Sequence, residues 1–140
     1  MAFHGLMLVR DEGDIISETL DQLLTWIDGV YILDLGSRDN TWEIVQDFAR
    51  RDSRVVPWFS RPTVFADWLR GMLFDHFRDR FRPGDWVIRT DADEIYHVAP
   101  PKFVKERLRP LDTAVHLQWY FFRLTRLEVA AYESGQVDLL

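Results

Sequence analysis

Residues 30–41 read VYILDLGSRDNT. The run from Val30 to Leu33 is apolar, and Asp34 ends it at a cluster of turn-forming and helix-capping side chains. A short apolar run that stops at such a cluster is typical of a buried strand that leads through a polar loop into a helix. We therefore expect a strand that ends at Asp34.

A helix is predicted directly after this loop, over 41–51, because its apolar residues fall on one helical face. Asn40 and Glu43 have the spacing of a capping box at its start. The same order of strand, polar loop and helix precedes this segment. An apolar strand at 6–9 stops at charged residues, and an apolar stripe at helical spacing then runs over 16–27.

The alternation continues towards the C-terminus. Residues 54–59 read as a third strand, and Pro57 within it indicates an edge position because proline cannot donate a ladder hydrogen bond. The apolar stripe from Phe65 to Phe81 predicts a third helix, which Pro83 and Gly84 end. The remaining predictions are a strand at 86–90, a helix at 100–108 and an aromatic strand at 114–124.

This order predicts an α/β fold, with a mostly parallel, doubly wound sheet and helices on both faces. The length of 140 residues favours a single domain over 1–140. Ligands of such sheets bind beyond the carboxyl ends of the strands. Here those ends carry polar residues at 10–12, 34–39 and 91–94, so we expect three loops to meet on one edge of the sheet.

Composition excludes several classes of function. A hydrophobic content of 47% excludes global disorder, and the absence of cysteine excludes thiolate metal sites and cysteine nucleophiles. The net charge of −6 gives no general attraction for nucleic acid, so no nucleic-acid partner is expected. The N-terminal apolar stretch is too short for a membrane span, so we expect no transmembrane segment and a cytoplasmic location.

The Asp91-Ala92-Asp93 triplet is a candidate metal site, because two carboxylates at a strand end can hold a hard divalent cation together with phosphate oxygens and water. The alternative is a solvated acidic turn. His97 follows this loop and could approach a metal at Asp93, although a solvated loop histidine is the simpler interpretation.

Other polar residues at the strand ends suggest nucleotide binding. Asp34 could accept hydrogen bonds from a base or ribose, or from its own turn. Arg10 and Arg70 are candidates for pairing with a diphosphate, because guanidinium matches phosphate oxygens in a two-pronged geometry. The loop 36–41 lacks a Walker lysine and a GxGxxG pattern, so we interpret its side chains as turn and cap residues.

Three segments together resemble the amino-terminal half of a family 2 glycosyltransferase of the GT-A fold. They read VRDE at 9–12, ILDLGSRDNT at 32–41 and WVIRTDADE at 86–94, and the resemblance covers residues 3–98 in the correct order. It implies an enzyme that binds a nucleotide diphospho-sugar and transfers the sugar, with inversion, to an acceptor hydroxyl. The acceptor would be a saccharide or a lipid-linked molecule.

The resemblance also implies roles for particular residues. Asp34 would contact the nucleoside base, Asp91 the ribose or the metal, and Arg70 would lie near the diphosphate. Asp93, with Asp91, would coordinate manganese or magnesium. The acidic first loop, with Arg10 and Glu12, would complete the nucleotide-sugar site.

The chain departs from the family pattern at two points. Asp11 stands where the family usually has asparagine. The family's general base lies in a later half, and the acidic residues Glu128, Glu133 and Asp138 match no motif for it, so the catalytic residue is unknown. The sequence thus predicts a donor-binding core over 1–98 and the start of an acceptor half over 99–140, with a sheet that is incomplete at its C-terminal side.

Such a sheet would leave an aromatic edge, so self-association through that edge is expected. A peripheral position at the inner face of a membrane is compatible with a lipid-linked acceptor.

Two alternative functions stay open. One is a non-catalytic remnant that binds a nucleotide or a partner, and the other is a phosphatase or phosphotransferase in which Asp91 is the nucleophile and Asp93 the acid. The latter scheme usually has threonine or valine where this chain has Ile95.

Overall fold

The computed structural model describes residues 1–109, 112–117 and 134. The chain divides into two compact units, Met1–Leu108 and Arg109–Leu140. Of the aromatic strand predicted at 114–124, residues 114–117 lie outside regular secondary structure, and 118–124 fall outside the described residues. In the described part of the chain, no helix is long and apolar enough to cross a bilayer.

The first unit is built on a four-stranded sheet in which every pairing is parallel. The strands stand in the order β3-β2-β1-β4. Their bounds are β1 Phe3–Val9, β2 Gly29–Asp34, β3 Val55–Ser60 and β4 Trp86–Asp91. This arrangement confirms the predicted α/β fold with a parallel sheet. Pro57 lies on β3 at an edge of the described sheet, as its missing amide hydrogen predicts.

Helices cover both faces of the sheet, so the doubly wound arrangement is also confirmed. Their bounds are α1 Ile16–Leu23, α2 Thr41–Arg51, α3 Trp68–Phe77 and α4 Pro100–Arg107, with a short 3-10 helix at Arg78–Arg80. Buried side chains of α1 and α2 pack with one face of the sheet, through Met7 and Ile32. Those of α3 pack with the other face, through Leu8 and Leu33.

The two central strands are buried along their whole length. Alternate side chains of β1 enter the two opposite cores, which explains why the strand reads as a continuous apolar run. The chain passes from β1 to β2 and β3 on one side, then returns across the sheet so that β4 pairs with the free edge of β1. The order of strands therefore reverses between β1 and β4, which is where ligands of doubly wound sheets bind.

Three helix boundaries differ from the sequence predictions by more than one residue. The first helix ends at Leu23, not at Ile27, because the N–H groups of Thr25 and Trp26 donate to carbonyls only three residues back, at 3.2 and 3.0 Å. The Arg54 guanidinium donates to the carbonyls of Leu24 and Ile27 beyond this end. Ile27 stays in the core with 2% of its surface exposed. The third helix runs from Trp68 to Phe77, so Phe65 lies before it and Phe81 lies after it, beyond the 3-10 helix Arg78–Arg80.

The late start of α3 has a backbone cause. The N–H groups of Arg61 and Thr63 donate to the carbonyls of Asp34 and Leu35, at 3.0 and 3.2 Å, which keeps this segment extended beyond the end of β3. Phe65 and Met72 were both expected on the buried stripe, and both are exposed. Leu69 and Leu73 carry the contact with the sheet instead.

Candidate nucleotide and metal site

The carboxyl ends of three neighbouring strands lie side by side. Val9 pairs with Asp34 across β1 and β2, and Leu8 pairs with Asp91 across β1 and β4. A cleft of about 210 Å³ opens beyond β1 and β4. It is lined by Arg10, Glu12, Asp91 and Asp93, with the apolar residues Leu8, Val9, Leu35, Phe65 and Ala92. Four of the predicted site residues are thus gathered at the strand-order reversal.

The two aspartates of the triplet flank a buried alanine. Ala92 has 2% of its surface exposed and belongs to the core that α1 and α2 cover. Asp93 is exposed, and it makes no hydrogen bond or ion pair with any residue that the structure describes. Its carboxylate is therefore available to a ligand.

Asp91 belongs to a cluster of four alternating charges. Its Oδ1 accepts a hydrogen bond from Arg70, and its Oδ2 lies 3.7 Å from Nε of Arg89. Asp67 bridges the same two arginines, at 3.0 Å from Arg70 and 3.3 Å from Arg89. The side chain of Arg70 is buried, and its Nε has no hydrogen-bond partner among the described residues. Burial lowers the pKa of the Arg70 guanidinium, and the charge of Asp91 opposes that shift.

The cleft carries an excess of negative charge. Burial raises the pKa of Glu12, and the charge of Asp93 raises it further. Burial likewise raises the pKa of Glu94, with the charges of Asp91 and Asp93 adding to the shift. A smaller part of each shift comes from repulsion between neighbouring carboxylates, which a bound cation would relieve.

The donor set fits a divalent cation that is only partly held by protein. Among the described residues, no group of three or more histidines or carboxylates is arranged to hold a metal ion. Asp93 and the second oxygen of Asp91 offer two carboxylate ligands. Cations such as Mg²⁺ are commonly held by one or two carboxylates together with substrate phosphates and water. His97 is exposed, as a solvated loop histidine would be.

Asp34 lies at the same edge but is engaged by the turn that follows it. No part of it is exposed. Its Oδ2 accepts the N–H groups of Gly36 and Ser37, each at 3.1 Å. The hydroxyls of Ser37 and Ser60 also donate to this carboxylate. Of the two roles expected for Asp34, the structure has the hydrogen bonds to its own turn. A base or ribose would reach Asp34 only after one of these hydroxyls had moved.

The second loop supports the first through its side chains. The N–H groups of Asp11, Glu12 and Gly13 donate to Ser37 Oγ, Thr41 Oγ1 and Asp39 Oδ2, at 2.9, 2.8 and 2.8 Å. The loop 36–41 therefore uses its polar groups as a scaffold, as the absence of phosphate-binding motifs predicted. One detail of that prediction is wrong: Asn40 makes no capping hydrogen bond. Asp39 instead accepts the Thr41 N–H through Oδ1 at 3.0 Å, while its Oδ2 accepts the Gly13 N–H of the first loop.

Asp11 has a backbone conformation that explains the residue type. Its φ angle is 56°, in the left-handed region that asparagine and aspartate tolerate better than most residues. Its Oδ1 accepts the Arg38 N–H at 2.6 Å. Asparagine and aspartate can both adopt this conformation and accept this bond, so either residue type is compatible with the local geometry.

Sequence reasoning missed two residues of this site, Arg89 and Asp67. Arg89 stands two residues before Asp91 on β4, and alternate strand residues share a face, so the strand period could have placed it beside Asp91. Asp67 gave no such signal, because its position depends on where α3 begins.

Comparisons with known proteins bear on this geometry. No protein-family model matches the chain. Uncharacterised proteins of Mycobacterium bovis and Mycobacterium tuberculosis are each 30% identical to it over 101 residues, which is 66% of this chain and 23% of each relative. The chain thus spans less than a quarter of the length of these curated relatives.

Among solved structures, the chain is similar to the mannosyltransferase PcManGT from Pyrobaculum calidifontis in complex with GDP-Man and Mn²⁺. The TM-score is 0.54 and the identity 18%, over 69% of this chain and 29% of that one. At this identity the similarity shows the fold. The chain therefore has an α/β fold with a parallel sheet that it shares with a glycosyltransferase.

Proposed function

We propose that this chain is the donor-binding part of a glycosyltransferase, which binds a nucleoside diphospho-sugar and a divalent cation in the cleft beyond β1 and β4. The observation that carries the proposal is the gathering of Arg10, Glu12, Asp91 and Asp93 at the strand-order reversal. Support comes from the similar fold of a mannosyltransferase that was solved with GDP-Man and Mn²⁺.

The residues of the cleft suit the two charged parts of such a donor. Asp93 and Asp91 would hold the cation, manganese or magnesium, which when bound would neutralise charge on the departing nucleoside diphosphate. Arg10, which is exposed at the cleft, would bind the diphosphate oxygens. Arg70 would keep Asp91 in place through their hydrogen bond and would add positive potential beneath the diphosphate.

The remaining predicted residues would complete the donor site. Glu12 lines the same cleft as Asp91 and Asp93 and would contact the bound donor. Asp34 would contact the nucleoside after releasing Ser37 or Ser60. The transfer would proceed with inversion to a saccharide or lipid-linked acceptor, and the base that takes the proton from the acceptor hydroxyl is assigned to no described residue.

The phosphatase alternative has less support. Asp91 could act as its nucleophile only through the oxygen that Arg70 does not hold, and that scheme usually has threonine or valine where this chain has Ile95. The similar fold of a mannosyltransferase favours the donor-binding role. The non-catalytic alternative predicts the same binding as the main proposal, but without transfer or hydrolysis of the donor. A turnover assay with the bound nucleotide sugar separates the two.

Calorimetric titration tests the binding. We expect GDP or UDP to bind more tightly in the presence of Mn²⁺, because Asp91 and Asp93 would hold the cation, whose charge would attract the diphosphate. Asp93→Asn should remove this Mn²⁺-dependent gain, since the amide keeps the shape but loses the charge. Asp21→Asn, an exposed change on α1 away from the cleft, is the matched control and should keep the gain. A folded wild-type protein that binds neither nucleotide with Mn²⁺ would contradict the proposal.

A further inference from the structure

The loop that carries Asp93 depends on the neighbouring helix for its support. Its turn is closed by a long hydrogen bond from the Glu94 N–H to the Asp91 carbonyl, at 3.3 Å. Two side chains of α1 donate hydrogen bonds to carbonyls of this loop. Thr19 donates its hydroxyl to the Ala92 carbonyl, and Gln22 donates through Nε2 to the Tyr96 carbonyl at 2.7 Å.

Thr19 is in a position where this hydrogen bond matters. Its side chain is fully buried, as is the Ala92 methyl group beside it, so water cannot replace the hydroxyl. The same hydroxyl also lies 3.4 Å from the Ile15 carbonyl of its own helix. A buried carbonyl that loses its donor retains the full cost of its desolvation.

The helix also connects to the other side of the cleft. The N–H groups of Ile15 and Ile16 donate to the Glu12 carbonyl, at 3.1 and 2.9 Å. One end of α1 is thus bonded to the loop that carries Arg10 and Glu12, and its buried face is bonded to the loop that carries Asp93. The helix α1 thus adds a connection between these two acidic loops to the one made by the pairing of β1 with β4.

We propose that Thr19 is a positioning residue for the metal ligand Asp93, acting through the Ala92 carbonyl, while Gln22 secures the far end of the same loop. This inference rests on the proposed function, because it assigns a cation to Asp93. Thr19 does not contact the cleft itself: Ala92 stands between them, with its carbonyl on Thr19 and its neighbour Asp93 exposed at the cleft.

The test uses three variants of the full chain. Thr19→Val keeps the shape of the side chain and removes the hydroxyl, and Thr19→Ser restores a hydroxyl at the same place. Thr90→Val is the matched control: Thr90 is equally buried and adjoins Asp91, but its hydroxyl has no hydrogen-bond partner among the described residues. Amide hydrogen exchange of residues 92–97 and Mn²⁺ affinity in the presence of GDP or UDP are the two measurements.

We expect Thr19→Val to speed exchange in this loop and to weaken Mn²⁺ binding, each about fivefold, the equivalent of one lost buried hydrogen bond. Metal-independent binding of the nucleotide should stay unchanged, which a general loss of structure would not allow. Thr19→Ser should recover both measurements, and Thr90→Val should alter neither.

Two results would overturn the inference in different ways. Wild-type protein that binds Mn²⁺ and nucleotide, with Thr19→Val leaving loop exchange and Mn²⁺ affinity intact, would refute the role of Thr19 alone. Wild-type protein that binds no Mn²⁺ in the presence of either nucleotide would refute the proposed function and this inference with it.

Discussion

At the scale of single residues, Asp91 and Asp93 have different surroundings although the sequence presents them as a pair. Asp91 is held by Arg70 and lies close to Arg89, whereas Asp93 is exposed. The position of the triplet at a strand end could be predicted from the apolar run before it. The partner Arg70 lies 21 residues away on α3, so its contact with Asp91 depends on how the helix crosses the sheet.

The role of Asp34 could not be predicted from the local sequence either. The local sequence favours both a nucleoside contact and a turn interaction, because an aspartate before glycine and serine can make either. The structure has the turn interaction, with a further hydroxyl from Ser60 on β3. Ser60 comes near Asp34 only through the pairing of β2 with β3, which no local pattern reveals.

The turn after Asp34 requires glycine at position 36. Gly36 has a φ of 84°, and a β-carbon there would lie 2.6 Å from the Pro62 Cα. We predict that Gly36→Ala lowers the free energy of unfolding by about 2 kcal/mol or more, from the strained φ and the clash with backbone that cannot easily move. Urea unfolding followed by tryptophan fluorescence measures this loss.

Gly84→Ala is the control for the conformational part of that loss. Gly84 has a similar φ of 92°, but nothing lies within 4 Å of the added β-carbon. It should cost about 1 kcal/mol, the ordinary penalty for a left-handed alanine. Equal losses in the two variants would show that the approach of Pro62 contributes nothing.

At the scale of elements, hydrophobic periodicity predicted the existence and order of the strands and helices better than their ends. The stripe from Phe65 to Phe81 has the period of a helix, yet α3 begins at Trp68. Hydrophobic periodicity depends on side chains alone, whereas the start of α3 follows a segment whose backbone N–H groups, at Arg61 and Thr63, bond to the end of β2. Phe65 lies before the helix and lines the cleft.

Asp85 connects the beginnings of β1 and β4, at the end of the sheet away from the cleft. Its two oxygens accept the N–H groups of Ala2 and Arg82, at 2.7 and 2.9 Å. These backbone hydrogen bonds, with a smaller contribution from His4, lower the pKa of Asp85 from 3.8 to about 2. Because the folded pKa is the lower one, the ionised carboxylate stabilises the fold above pH 3.8, and this stabilisation is lost as the pH falls towards about 2.

We therefore expect Asp85→Asn to flatten the decline of stability across this acidic range, while lowering stability at neutral pH. Urea midpoints measured from neutral pH down to the acid limit of the folded state give the comparison. Asp21→Asn, which alters an exposed carboxylate on α1, should follow the wild-type curve. Parallel curves for wild type and Asp85→Asn would refute the assignment.

At the scale of the whole molecule, the alternation of strands and helices was sufficient to predict a parallel sheet with helices on both faces. It also predicted that the polar loops after β1, β2 and β4 would share one edge, because parallel strands end together. The sequence could not predict that Thr19 supports Ala92, since a contact between residues 73 positions apart arises only from the packing of α1 against the end of β4.

The proposed site requires a divalent cation at Asp91 and Asp93 together with a nucleoside diphosphate. Anomalous diffraction at the manganese edge, from crystals grown with Mn²⁺ and GDP or UDP, shows where the cation binds. We predict one strong peak within coordination distance of an Asp93 oxygen, with diphosphate density beside it and towards Arg10. A well-diffracting crystal with bound nucleotide whose manganese peak lies away from both aspartates would rule out this metal site.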